Sequence, residues 1–191
     1  ALYGCKSAIF GFSWNSDAVS PRLRNRLCRV ASKAVLHSRD PASAERIAML
    51  TGCSPCLVAD LAFSLPITEK SWSSEATLWI DERKKNGRNP IVVNLNKNKN
   101  ANIYMEDAVD FWSSMLTTIF EKIPLIDILF VPHDYRTGNE DTFFMENVIE
   151  RLEKKFSDRH ILINEIITPS QVKTIVSKVD FVLTGRMHLG I

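Results

Sequence analysis

Pro90-Ile-Val-Val-Asn-Leu95 is an apolar run of strand length with a polar stretch behind it, and it reads as a buried β-strand. Residues 105–123 follow with Ala108, Phe111, Trp112, Met115, Leu116, Ile119 and Phe120 at helical spacing. Residues 126–132 are a second apolar run, ending on His133-Asp134. Strand, helix, strand, with no strict polar alternation in the strands, is the pattern of a parallel sheet covered on both faces. The alternation continues: 141–156 reads as a helix, 160–164 as a strand, Thr168-Pro-Ser-Gln171 as the cap of a helix to 179, and 181–184 as a last strand. Right-handed crossovers stack these four strands and three helices into a Rossmann-like layer. A fourth helix has barely begun at Ile191, so truncation of the C-terminus is expected.

Upstream the same rhythm is shorter. Ser7-Ala-Ile-Phe-Gly-Phe-Ser13 reads as a buried strand, and Ser20-Pro21 opens a helix to residue 32. Residues 33–38 form a strand, Asp40-Pro41 starts a helix closed by Gly52, and 56–59 form a third strand. Between the two halves, Pro66, several Ser and the run Asp81-Glu-Arg-Lys-Lys-Asn-Gly87 mark residues 67–88 as a linker with some helical potential. The expected division is thus 1–66, linker 67–88, and 89–191.

Composition narrows the classes of function. The 191 residues carry 24 Lys+Arg against 22 Asp+Glu, a formal charge of +2 that gives no basic field for nucleic acid. No apolar run approaches the roughly 18–20 residues that span a bilayer. The chain opens on Ala1 with no leader, and is expected to begin inside something longer. Cys5, Cys28, Cys53 and Cys56 include a lone Cys53-Ser-Pro-Cys56 pair, which lacks the further ligands of a structural zinc site and reads as buried or half-buried thiols, with a redox or metal role as the alternative.

In an open parallel sheet, ligands bind beyond the carboxyl ends of the strands, so polar residues just after strands are the site candidates. These are Ser13, then Ser38-Arg39-Asp40, then Asp60, His133-Asp134, and finally Gly185-Arg186-Met187-His188. The last set is the sharpest. Gly185 permits a tight turn, Arg186 is a permanent cation with a five-donor fork, and His188 titrates near neutrality. That combination suits an anion with several oxygens, a phosphate or a carboxylate. Asp40 reads mainly as a helix cap, and Arg186 paired with a helix carboxylate is the alternative structural role. No GxGxxG, P-loop, GxSxG or HExxH pattern is present.

The blocks Phe10-Gly-Phe-Ser13, Ser38-Arg-Asp-Pro-Ala-Ser43, Val58-Ala-Asp-Leu-Ala-Phe63, Val131-Pro-His-Asp134 and Asp180-Phe-Val-Leu-Thr-Gly-Arg-Met-His188, in this order, resemble the polysaccharide pyruvyl transferase family. The resemblance implies a GT-B-like architecture of two Rossmann-type domains facing across a cleft. Residues 1–66 would be the later part of the first domain and 89–191 the earlier part of the second, both incomplete. It implies phosphoenolpyruvate as donor, a sugar or lipid-linked saccharide as acceptor, a ketal product of exopolysaccharide type, and released phosphate. By carry-over, Arg39 and Arg186 clamp the anionic donor with Gly185 in the binding turn. His188 is the acid–base group or a phosphate donor, with Ser13, Asp60 and His133 as further candidates. No organic cofactor is implied, no metal site is declared, and the metal requirement stays open. The implied compartment is the cytoplasm, with peripheral association at the inner membrane as an option. Two rivals stand beside this reading: a GT-B glycosyltransferase using a nucleotide-sugar, and an inactive domain that binds a glycan or a partner.

Overall fold

The computed structural model describes residues 7–15, 20–67, 74–96, 104–136, 141–186 and 189–190. The chain forms two compact units, Ala1–Ser64 and Leu65–Ile191. Both are α/β with parallel strands.

The first unit runs β1 (Ser7–Phe12), α1 (Pro21–Ala31), β2 (Ala34–Ser38), α2 (Pro41–Thr51) and β3 (Cys56–Leu57), followed by a 3-10 turn at Leu61–Ser64. Local chemistry sets the helix ends. Ser20 and Asp40 each cap the helix start by accepting a backbone N–H, from Leu23 and Ser43, with Pro at the first helical position. Gly52, at φ 73°, closes α2 in the left-handed conformation that favours glycine. The sheet order is β1-β2-β3, and its core joins Leu27, Leu36 and Ile47 with Phe12 and Val30 against it.

One sequence expectation fails here. β1 is not buried: Ile9 and Phe10 are 42% and 51% exposed. It is an edge strand, and the core of α1 and α2 packs on Leu36 and Phe12 without reaching Ile9, which lies in register with Leu36 on the same face. On the opposite face Phe10 stacks on His37 with ring centroids 4.3 Å apart, and Val35 is exposed. Gly11 lies at φ 64°, where the pairing register with β2 shifts.

The second unit begins with α3 (Glu75–Lys85), then alternates β4 (Asn89–Asn94), α4 (Met105–Lys122), β5 (Ile126–Phe130), α5 (Asp141–Glu150), β6 (His160–Leu162), α6 (Pro169–Val176) and β7 (Val182–Thr184). The sheet order is β6-β5-β4-β7, so the chain winds outward from β4 on one side and then crosses to the other. A topological switch point therefore lies between β4 and β7. Side chains of β4 alternate between two cores. Ile91, Val93 and Leu95 pack with Leu116, Phe120 and Phe144 of α4 and α5; Val92 packs with Ile80 of α3 and Ile175 of α6. Each such buried side chain contributes roughly 1.5–3 kcal/mol.

Within the expected linker 67–88, Glu75–Lys85 form a packed helix, while residues 68–73 lie outside the described residues. Ser74 and Thr77 close a capping box, and α3 buries Ala76, Thr77 and Ile80 as part of the cover over one sheet face. The helix expected over 141–156 ends at Glu150, because Arg151 and Leu152 bond three residues back and a 3-10 turn follows at Lys154–Phe156.

Candidate active site

The ends of β1, β2 and β3 in the first unit bring Ser13, Arg39 and Asp60 together. Arg39 sits one residue past β2, its backbone N–H bonded to the Phe12 carbonyl of β1 at 3.2 Å. Its Nε donates to Ser13 Oγ at 2.7 Å, and its Nη1 donates to Asp60. Ser13 Oγ in turn donates to Asp40 Oδ2 at 2.7 Å, while Asp40 Oδ1 accepts the Ser43 N–H that starts α2. Asp60 also accepts the Ala62 N–H at 2.9 Å, tying Arg39 to the 3-10 turn. Hydrogen bonds from Ser13 and then Ser43 hold the Asp40 carboxyl below its usual range. The Arg39 side chain is 23% exposed. Asp40 thus does two things, capping α2 and orienting Ser13.

The second constellation stands at the switch point of the larger sheet. Thr184, the last residue of β7, accepts the Arg186 N–H on Oγ1 at 2.9 Å and donates back to the Arg186 carbonyl at 3.1 Å. Gly185 bonds the Asn94 carbonyl at 3.3 Å, and a Cβ placed on Gly185 would lie 2.5 Å from Asn96 Oδ1. Only glycine fits this approach without displacing the Asn96 amide. Leu189, 3% exposed, bonds back to the Arg186 carbonyl and anchors the turn in the second core.

The Arg186 side chain is held by carboxylates from the loop after β5 and from α5. Nη2 donates to Asp141 Oδ1 at 2.6 Å and lies 3.4 Å from Asp134 Oδ2; Nε lies 3.4 Å from Asp141 Oδ2. Asp141 Oδ2 further accepts Asn94 Nδ2 at 3.2 Å and the N–H groups of His133 and Asp134 at 3.1 Å each. Asn94 and Asp141 are 1% and 2% exposed. Asp134 forms a forked pair with Arg136 at 2.9 and 2.6 Å. That pair, with a smaller pull from Arg186, sets the Asp134 carboxyl far below its ordinary value. Two arginines face two carboxylates here, so the cluster is close to neutral. Among the described residues no partner receives Nη1 of Arg186, and the side chain keeps 28% exposure.

Of the residues expected from the sequence, the structure brings Ser13, Arg39 and Asp60 into one network and Arg186 and Gly185 into another. His133 lies in the second region, half-buried, with its backbone held by Asp141. His188 falls outside the described residues. Asp134, expected with His133 past a strand end, joins the second network, while Asn94 and Asp141 were missed. The one signal for them was Asn94, a polar residue interrupting the apolar run of β4. A groove of about 980 Å³ runs along β6, lined by His160, Leu162, Glu146 and Glu150, and includes none of the expected residues.

The block order that ends in Thr184-Gly-Arg186 extends over the whole molecule: a family model described as polysaccharide pyruvyl transferase matches residues 2–191. The chain belongs to that family. No curated protein and no solved structure matches it. Family membership makes the chain a transferase of polysaccharide pyruvylation and implies a saccharide acceptor. Among the described residues no group of three His, Cys, Asp or Glu gathers as a metal site. No helix among them is long and apolar enough to cross a membrane. Cys28, Cys53 and Cys56 are free thiols, and Cys5 lies outside the described residues. Cys28 is half-buried, but Cys53 and Cys56 are exposed, against the expectation of burial, because they flank and begin the short edge strand β3.

Proposed function

We propose that the chain transfers a pyruvyl group from phosphoenolpyruvate to two hydroxyls of a saccharide, forming a cyclic ketal and releasing phosphate. The observation that carries this reading is Arg186, fixed at the switch point of a parallel sheet in a chain of this family. Phosphoenolpyruvate has a carboxylate and a phosphate, and planar guanidinium forks suit both. Arg186 and Arg39 are the two cations for them, each placed at the carboxyl ends of the strands of its own unit. The two units then count as Rossmann-type domains of a GT-B-like enzyme.

The chemistry needs one proton delivered and two removed. A general acid protonates the methylene carbon, making the adjacent carbon electrophilic. Two sugar oxygens bond to that carbon, its bond to the phosphate oxygen breaks, and the two hydroxyl protons return to the acid and leave with phosphate. Charge developing on the carboxylate and phosphate is met by fixed cations. His188, two residues past Arg186, is the residue for the acid–base or phosphate-binding role. Phosphoenolpyruvate is a cytosolic metabolite, which places the reaction in the cytoplasm, on a sugar or lipid-linked saccharide.

Calorimetric titration with phosphoenolpyruvate tests the donor. Saturable binding, weakened at least about tenfold by Arg186→Ala and by Arg39→Ala, is the expected result for a cation that grips the donor. A folded protein that ignores phosphoenolpyruvate and binds a nucleotide-sugar would overturn the proposal.

A further inference from the structure

We infer that Asp141 is a positioning residue that presents the Nη1 edge of Arg186 to the anionic ligand. Its two oxygens are divided between two tasks. Oδ1 takes the short 2.6 Å bond from Arg186 Nη2. Oδ2 gathers Asn94 Nδ2, the His133 and Asp134 N–H groups and, at 3.4 Å, Arg186 Nε. The side chain is 2% exposed, so it has no water to replace a lost partner. Gripped along its Nε and Nη2 edge, the planar guanidinium cannot turn, and among the described residues its remaining nitrogen, Nη1, carries the unassigned donors. Asp141 also stands at the first residue of α5, where the helix dipole favours a carboxylate. It therefore joins β4, the loop after β5 and the turn after β7 into one fixture.

The geometry explains why an amide cannot substitute. Asparagine has one acceptor. With its oxygen toward Arg186, its amide N–H groups meet the donors of Asn94, His133 and Asp134. Turned the other way, they meet Arg186 Nη2. Either orientation sets donor against donor and releases Arg186.

The inference rests on the pyruvyl-transfer reading only for the identity of the ligand. The test compares wild type, Asp141→Asn, Arg186→Ala and the double variant by calorimetric titration with phosphoenolpyruvate. It adds the 15N-edited NMR signal of the Arg186 Nε–H, assigned by its loss in Arg186→Lys. The expected result is a dissociation constant raised about 10- to 100-fold in Asp141→Asn, the scale of a misplaced binding group. The double variant should be no weaker than Arg186→Ala, and the Nε–H signal should shift and broaden. Wild-type affinity in Asp141→Asn alongside weak binding by Arg186→Ala overturns the positioning role and leaves the donor reading intact. Additive losses in the double variant also overturn it. If wild type ignores phosphoenolpyruvate, the donor reading falls. The NMR signal then decides, and an Nε–H unchanged in Asp141→Asn overturns the inference. Should Asp141→Asn fail to fold, Asp141→Glu, which keeps the charge one methylene further out, carries the same comparison.

Discussion

Replacing Asp127 with Asn tests whether the amino end of the larger sheet is held by one buried carboxylate. The Asp127 side chain is fully buried and accepts two bonds of 2.5 Å, from Nε and Nη2 of Arg88. Nε atoms of Arg83 and Arg159 lie 3.6 Å from its oxygens, and the Arg83 Nε is buried with no hydrogen-bond partner. Asparagine keeps the shape but removes the charge and turns one acceptor into a donor facing Arg88. Breaking a buried ion pair from one side costs about 3–5 kcal/mol. The three arginines are 22%, 23% and 13% exposed and regain some water, so the lower end, about 3 kcal/mol, is expected. Against a domain stability of about 5–15 kcal/mol this is a large loss. Equilibrium urea unfolding, followed by circular dichroism and tryptophan fluorescence, should show a lower midpoint with an unchanged slope. Donor binding by the folded protein should survive, since Asp127 and the loop after β5 lie at opposite ends of a five-residue strand. A loss below about 1 kcal/mol would refute the reasoning, because it would mean that the arginines are satisfied without the carboxylate.

Two further perturbations act on other parts of the second unit. Burial beside Phe120 and Phe130 pushes the His160 imidazole below its ordinary value, against a smaller opposite pull from Asp158. The folded state thus favours neutral His160. Its contribution is complete above the unfolded value of about 6.5 and is lost as pH falls below it. Urea midpoints between pH 8 and pH 5 should therefore fall more steeply for wild type than for His160→Gln; parallel profiles would count against this. Gly185→Ala sets a Cβ 2.5 Å from Asn96 Oδ1, forcing the amide aside and shifting the turn that carries Arg186. The expected cost is about 1 kcal/mol in unfolding, with a larger proportional loss of donor affinity; unchanged affinity would show that the turn absorbs the methyl.

Much of the fold was legible because the signals are local. Ser20-Pro21, Asp40-Pro41 and Thr168-Pro169 set helix starts through groups within three residues, and each helix begins there. The helix α3 was harder to place in the core. Its charged run from Asp81 to Lys85 dominates the pattern, while the burial that fixes it rests on Ala76, Thr77 and Ile80. Apolarity in β1 showed that its side chains favour burial but not which element covers them, and the edge strand is exposed on both faces, at Ile9 in register with Leu36 and at Phe10 opposite. Arg39, Asp60, Ser13 and Arg186 were found by one topological rule, that ligands gather past strand ends. The same rule reached Asp134, but Asn94 and Asp141 escaped it because their pairings span 45–47 residues of sequence. Only the sheet order, which places β7 beside β4, brings those residues together.

Net charge alone would point to the amino end of that sheet. Arg83, Arg88 and Arg159 surround one carboxylate at its amino end, while Arg136 and Arg186 face two at its carboxyl end. Helix polarity reverses the preference. Arg159 donates to the carbonyls of Phe120, Ile123 and Ile126, where α4 ends and its dipole is negative, and it stacks on Phe120. Arg88 likewise donates to the carbonyls of Pro124 and Ile126. Those cations are answered by backbone oxygens and serve to close the sheet. At the carboxyl end the nearby helix terminus is the start of α5, whose dipole is positive, and Asp141 there answers only one edge of Arg186. An added anion meets favourable backbone polarity at that end and unfavourable polarity at the other. The same residue type is thus structural at one end of the strands and a ligand-binding candidate at the other.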